Sequence, residues 1–325
     1  MKLAVVGAGK IVAEFLPHAS GVPGLTLGAI VGRESSRGKL DELAAAHGIP
    51  LVFTDLDECL ADSRVDTVWI ALPNVLHADV ARRALRAGKH VICEKPFVLR
   101  TEELAELRAL AAERGLILVE AINNQYLASM VWMRENLPRL GDLRLVQCEY
   151  SQYSSRYDAF RAGTIAPAFD PAAGGGALTD LGIYTLHLVI GLLGAPDTVG
   201  YTPRMERGVD TSGVAVLGYG DLTAVCVCAK DSPGPSRTKI QGVDGVMVFD
   251  GPPNEIAAVE LQLRDGTHER FALDDEPHRM VAEFRAFARM IDEPDPDERD
   301  RRLDHSAAVL EVAVRARDSA GIRLG

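Results

Sequence analysis

The hydrophobic positions of this chain change rhythm near residue 120. Before that point, KLAVVG, LTLGAIVG, PLVF, VDTVWIAL, KHVICE and LILVE are apolar along their whole length. Strands covered on both faces need such unbroken runs, because side chains on either side of the sheet are buried. Between them, VAEFLPHA, SSRGKLDELAAAHG, DECLAD, NVLHADVARRALRAG and TEELAELRALAAERG read as helices, several stopped by Gly. Strict alternation of strand and helix predicts an α/β unit with a parallel, doubly wound sheet over residues 1–121.

Beyond it, the helical ASMVWMRENLPRLG leads into the long alternating strand LRLVQCEYSQYSS. A loop rich in Ala, Pro and Gly (TIAPAFDPAAGGG) and an apolar helix follow. From about residue 197 to 273, TSGVAVLGYG, LTAVCVCAKD, RTKIQGVDGVMVFD, IAAVELQLRD and THERFALDD are joined by short turns with Gly and Asp. Those are hairpin signals, and they predict an antiparallel sheet with one face open to a helix layer or a partner subunit. PHRMVAEFRAFARMI and HSAAVLEVAVRARDSAG are expected to close the chain as helices, with the acidic EPDPDERD between them as a surface linker. The second domain is therefore expected to be α+β, with an open, largely antiparallel sheet, over residues 122–325.

Glycine adds chemistry to this pattern. AVVGAGKIVAEF places Gly7, Ala8 and Gly9 between the first strand and a helix opened by Lys10 and Ile11. Gly7 suits the tight turn, and Gly9 lets backbone approach a pyrophosphate at the helix start. The third fingerprint position holds Val12, where Gly or Ala is usual. A G-x-G turn at the first βα junction, followed by further βα units, predicts a Rossmann dinucleotide site. An acid closing the second strand would hold the ribose of NAD(H), but AIVGRESSRGK offers Gly32 and Arg33 there. Arg33, Ser35 and Arg37 suit a 2′-phosphate, which tips the expectation toward NADP(H) over NAD(H).

Composition narrows the partners. The 325 residues suffice for two cores, and 47% apolar with 25% charged residues describes an ordinary globular chain. A net charge of −11 argues against nucleic acid or an anionic membrane as partner and leaves a small molecule. The start, MKLAVVGAGK, is too short for a membrane span and lacks a signal-peptide cleavage region. Five scattered cysteines point to buried thiols in a reducing cytoplasm, with no metal site expected.

HVICEKPF sets Glu94 and Lys95 at the C-terminal end of a buried strand, the edge where such sheets bind ligands. There Lys95 can act as acid/base or stabilise an oxyanion. Residues 72–97, LPNVLHADVARRALRAGKHVICEKPF, together with the G-x-G turn and GGGALTDLG at 174–182, closely resemble the signature of the Gfo/Idh/MocA family of NAD(P)-dependent oxidoreductases. The resemblance spans essentially the whole chain. It implies hydride transfer between nicotinamide and a carbinol or carbonyl carbon of a sugar, cyclitol or trans-dihydrodiol. It implies a catalytic Lys95, Glu94 near the cofactor, and Leu72, Pro73, Asn74 and His77 along its nicotinamide side. It also implies a homodimer or homotetramer formed through the C-terminal sheet. On residue chemistry alone His77 is simply a polar helix-start residue. An NAD-dependent glycosidase on the same scaffold, or a non-catalytic NAD(P) sensor, are the alternative readings.

In GGGALTDLGIYTLHL, α-helical spacing would put Asp180, Tyr184 and His187 on one stripe. Where many family members carry His four residues after the Asp, this chain has Tyr184. That resembles the dihydrodiol dehydrogenase and glucose–fructose oxidoreductase branches, and implies that Tyr184 and Lys95 share the proton with Asp180 beside them. His187 reads either as a substrate contact or as a core histidine. The family's Arg-Phe-x-Pro run is departed from in EAINNQYLAS, with Gln125 for the Arg and Tyr126 for the Phe. Asn123 and Gln125 are candidate polyol contacts or helix caps, and Arg156 and Tyr157 are candidate substrate contacts from a polar, aromatic loop.

Overall fold

The first strand, β1 (Lys2–Val6), lies between β2 (Thr26–Val31) and β4 (Thr67–Ile70), all parallel. With β3 (Leu51–Phe53), β5 (His90–Glu94) and β6 (Leu118–Ala121) the sheet runs in the order β3-β2-β1-β4-β5-β6. Helices α1 (Lys10–Phe15), α2 (Arg37–His47), α3 (Leu56–Ala61), α4 (His77–Arg86) and α5 (Thr101–Arg114) are the crossovers. The strand order reverses between β1 and β4, and ligands of doubly wound sheets bind outside the carboxyl ends of strands at such a switch point. The computed structural model describes residues 1–273 and 277–323.

The chain divides into two compact units, Met1–Ala121 with Glu276–Ser306, and Ile122–Asp275 with Ala307–Gly325. The sequence pattern assigned the segment from 276 to the second domain, and packing assigns it to the first. Its helix Val281–Asp292 buries Phe284 and Phe287 completely, and the Phe284 ring stacks on Phe15 at 3.9 Å between centroids, with Trp69 edge-on at 5.0 Å. The acidic stretch also differs from expectation. Residues from Pro296 onward are the first turns of a helix that runs to Ser319. The Asp295 side chain accepts from the Glu298 amide at 2.9 Å, with Pro296 next and Asp297 and Glu298 in the first turn, all favourable at a helix start.

In the second unit, short 3-10 turns and α6 (Ala128–Asn136) precede β7 (Leu143–Ser151), then come α7 (Tyr157–Arg161) and α8 (Ile183–Leu193). β8 (Thr198–Glu206), β9 (Val209–Tyr219), β10 (Leu222–Ala229), β11 (Arg237–Gly242), β12 (Gly245–Asp250), β13 (Ala258–Leu263) and β14 (His268–Ala272) complete it. Its eight-stranded sheet runs β14-β13-β12-β11-β7-β10-β9-β8. Only β7 and β10 pair in parallel, and every other neighbour is antiparallel. One face packs on α8, α6 and the last turns of the C-terminal helix through residues such as Val146, Ala224, Leu186, Met130 and Val312. On alternate positions the opposite face carries Val214, Val216, Val225 and Val227, all partly or largely exposed.

All five cysteines are free and buried, as expected of small apolar side chains. Burial pushes the Cys59 thiol up to about 11 and Cys148 to about 12, which keeps both protonated. One stretch, Pro171–Leu193, is long and apolar enough to cross a membrane by length and composition, but it holds the core helix of this unit and its most apolar part is mostly buried.

Candidate active site

The dinucleotide side is built at the carboxyl ends of β1, β2, β4 and β5. Gly7 sits at φ +119°, and a Cβ there would run into the carbonyl oxygen of Ala71. Its amide donates to Val31 O at 2.9 Å, so the turn is pinned between the ends of β2 and β4. Gly9 caps α1 in extended conformation, and no heavy atom lies within 4 Å of where its Cβ would be. Ala8, Lys10 and Ile11 are partly or fully exposed around it, whereas Val12 is completely buried and packs the helix onto the sheet.

After β2, Gly32 packs on Leu40, and Arg33 and Ser35 stand exposed. The strand end itself carries no acid, and the exposed Glu34 comes three residues after Val31. Arg37, expected beside Arg33, is instead drawn along its own helix by Asp41, Nε to Oδ1 3.0 Å, an exposed i,i+4 pair. A nicotinamide dinucleotide fits these residues: one glycine whose side chain would clash, one with open space, and a cationic edge. Leu72, Pro73 and Asn74, partly exposed after β4, continue the same rim.

His77 lies behind that rim and is fully buried. Its Nδ1 is 3.0 Å from Pro96 O and its Nε2 2.9 Å from Leu72 O. Burial lowers the proton affinity of the ring, while carbonyls at both nitrogens favour the doubly protonated form. The ring therefore joins the loop of Pro73 and Asn74 to the loop of Lys95, and it is a strap rather than the cofactor contact expected. His77→Phe keeps an aromatic ring and removes the ring nitrogens that reach the two carbonyls. It should lower stability by about 1–3 kcal/mol in thermal denaturation and weaken NADPH binding with it; an unchanged melting temperature would refute the strap.

Lys95 is half-buried and joined to Pro96 by a cis peptide. Glu94, expected near the cofactor, is buried, and its Oε1 accepts from Trp69 Nε1 at 3.2 Å. Burial raises its carboxyl to about 7, against the pull of Lys95, Trp69 and Arg279. Glu283, buried on the helix Val281–Asp292, is also pushed well up, first by burial and then by Glu94. The loop is held from beneath by Glu120, which accepts from the Phe97 amide at 2.9 Å and from the Ser306 hydroxyl at 2.6 Å. Sequence reasoning missed Glu120; the signal was an acid closing the buried strand LILVE.

In the second unit the opening of the apolar helix is a π turn, Leu178–Gly182, which passes into α8 at Ile183. The α-helical stripe expected for Asp180, Tyr184 and His187 therefore does not form. A π turn takes in an extra residue, and such turns recur at functional sites. Asp180, at its centre, keeps 34% of its side chain exposed and lies 2.9 Å from Lys230 Nζ. Tyr184 is largely buried with its ring 5.8 Å from that of Tyr150, and His187 is wholly buried, a core histidine and not a substrate contact. The turn is anchored by buried Asp210, which accepts from the Leu178 amide and the Tyr201 hydroxyl, each at 2.8 Å.

Three expected substrate contacts are scaffold. The Asn123 amide donates to Asn254 O at 2.6 Å, and the Gln125 amide to His187 O at 2.8 Å, both side chains being buried. Gly191 makes room for Gln125, since a Cβ there would come within 2.7 Å of its Oε1. Tyr157 belongs to a small buried cluster with Phe160, Phe169 and Val209, its hydroxyl on Glu206 at 2.8 Å. Arg156 stays exposed.

Residues 1–121 match the model of an oxidoreductase family with an NAD-binding Rossmann fold, and residues 138–248 match the GFO/IDH/MocA C-terminal domain. The scyllo-inositol 2-dehydrogenase (NADP(+)) IolU of Bacillus subtilis is 34% identical over 99% of this chain and 98% of its own. This chain belongs to the Gfo/Idh/MocA family. It is a dehydrogenase/reductase, and its first unit is an NAD(P)-binding Rossmann domain. A trans-1,2-dihydrobenzene-1,2-diol dehydrogenase of Sus scrofa is 29% identical over 85% of this chain and 81% of that protein. The 3-ketoreductase KijD10 of Actinomadura kijaniata, in complex with NADP and TDP-benzene, superposes with a TM-score of 0.84 at 26% identity, covering 98% of this chain and 97% of that one.

Proposed function

We propose that this enzyme moves a hydride between NADP(H) and a hydroxyl-bearing carbon of a sugar, cyclitol or trans-dihydrodiol. The observation that carries the cofactor choice is the end of β2, where the positions directly after the strand are Gly32 and an exposed Arg33, with Glu34 only beyond them. The substrate class is supported by relatives named for an inositol, a dihydrodiol and a keto sugar reaction, and by the exposed edge of Asp180 on its π turn. When bound, the nicotinamide supplies or accepts the hydride. The residues of this chain handle the accompanying proton. The Lys95 ammonium hydrogen-bonds the reacting oxygen and stabilises charge developing there, the Tyr184 hydroxyl passes the proton, and Asp180 accepts from a neighbouring substrate hydroxyl. In the oxidative direction the carbinol carbon loses a hydride and its oxygen a proton, leaving a carbonyl.

The open valine face of the second sheet supports a homodimer or homotetramer, and five free buried thiols suit a reducing cytoplasm. Fluorescence titration tests the cofactor choice. NADPH should bind about tenfold more tightly than NADH, and Arg33→Ala should erase most of that gap, as expected for one charge-assisted bond to the 2′-phosphate. Equal affinities in the wild type would reverse the assignment. A panel of cyclitols, aldoses and dihydrodiols, followed by NADPH absorbance, then identifies the substrate.

A further inference from the structure

Lys230 follows β10 directly and is almost completely buried, with 2% of its side chain exposed. We propose that Lys230 is the positioning residue of the substrate half: it holds Asp180 as an anionic, acceptor-only carboxylate, so that the enzyme selects substrates presenting hydroxyl donors beside the reacting carbon. The inference rests on the reading above that Asp180 meets the substrate.

A buried ammonium is tolerated only when its charge and its N–H groups are compensated. Here the protein compensates all of it. Nζ lies 2.9 Å from Asp180 Oδ2 and 2.5 Å from Ala168 O, and it stands 4.1 Å from the centroid of the Phe169 ring, over its face. The Ala168 carbonyl also accepts from the Gly176 amide at 3.2 Å, so the lysine ties the loop before the helix to the π turn after it. Its backbone is fixed as well. The Lys230 amide donates to Thr211 O at 2.8 Å, and its carbonyl accepts from the Ser154 amide at 2.9 Å. An ammonium enclosed in this way acts through Asp180 rather than on substrate directly. A carboxylate beside a fixed cation remains ionised and can only accept hydrogen bonds, so its exposed part recognises O–H groups and repels acids.

The test compares Lys230→Met and Lys230→Arg with the wild type, using scyllo-inositol and NADP+, or the polyol from the panel that turns over best. Lys230→Met should fold and bind NADPH as the wild type does, while KM rises and kcat/KM falls about a hundredfold, the cost of a misplaced binding group. Lys230→Arg, which keeps the charge, should recover most of the KM. Asp180→Asn should raise KM similarly, and adding Lys230→Met to it should cost little more, because both changes remove one interaction. A wild-type KM in folded Lys230→Met, or a lowered melting temperature with kinetics unchanged, would overturn the role. If Lys230→Met does not fold, a Lys230→Arg enzyme that folds but loses KM as fully as Asp180→Asn overturns it instead. A wild type inactive on every polyol overturns the functional reading itself, whereas an active wild type matched by Lys230→Met removes only Lys230.

Discussion

Lys95→Met should abolish turnover and leave NADPH binding nearly intact. Lys95 stands at the carboxyl end of β5, next to the strand-order switch between β1 and β4, and is half-buried on a loop fixed from two sides. His77 bonds the Pro96 carbonyl, and Glu120 receives the Phe97 amide. With the backbone so constrained, Met changes the chemistry of one side chain without freeing the loop. General acid–base groups contribute about a hundredfold to ten-thousandfold, and loss of the ammonium as well as the proton path places the expected fall in kcat near the top of that range. Stopped-flow or steady-state absorbance of NADPH measures it. Activity within a few-fold of wild type, about 1 kcal/mol or less in the barrier, would remove Lys95 from the mechanism.

The second large effect separates the two glycines of the turn. Gly7→Ala should damage the protein even without cofactor. Its Cβ would occupy the position of the Ala71 carbonyl oxygen, and φ +119° is strained for any L side chain. Strain of about 1–3 kcal/mol, added to the overlap, should appear as a lower melting temperature of the apoprotein. Gly9→Val should do the opposite. Its Cβ would have no neighbouring heavy atom within 4 Å, so the apoprotein should melt close to the wild type. It would nevertheless stand where backbone and pyrophosphate approach, and NADPH affinity should fall by about two orders of magnitude or more. Intact NADPH affinity in a stable Gly9→Val variant would show that the dinucleotide does not approach this turn.

The alternation of unbroken apolar runs and helices made the first sheet legible, because strands buried on both faces leave that mark on the chain. Membership of the closing segment was not legible. PHRMVAEFRAFARMI declares a helix with an apolar face, but period alone does not say which sheet that face covers; Phe284 stacking on Phe15 decides it. In EPDPDERD, charge density suggested a solvated linker, while Asp295, Pro296 and the acids behind them were the marks of a helix start. The site shows the same limit. Lys95 precedes Pro96 at the end of β5 and Asp180 stands in the π turn between Gly176 and Gly182, and both keep part of their side chains exposed, as a ligand contact requires. Asn123, Gln125, Tyr157 and His187 have the chemistry of ligand contacts, yet they are buried in the scaffold, Asn123 and Gln125 on backbone carbonyls and Tyr157 on Glu206. Residue type tells what a side chain can bond, and only the fold tells which partner arrives first.

The π turn at 178–182 has a consequence for how this sequence can change length. It is in effect one residue more than an α-helix needs at that point. Deleting a single residue inside it would relax the helix to regular winding, with little cost to the hydrogen-bond ladder. The same deletion would take one residue out of the turn that carries Asp180 and so change where its carboxylate stands relative to Lys230. Across related sequences this short stretch should therefore resist loss of one residue more strongly than its loop-like glycines suggest, and a chain that had lost it would keep the fold while giving up the carboxylate's aim.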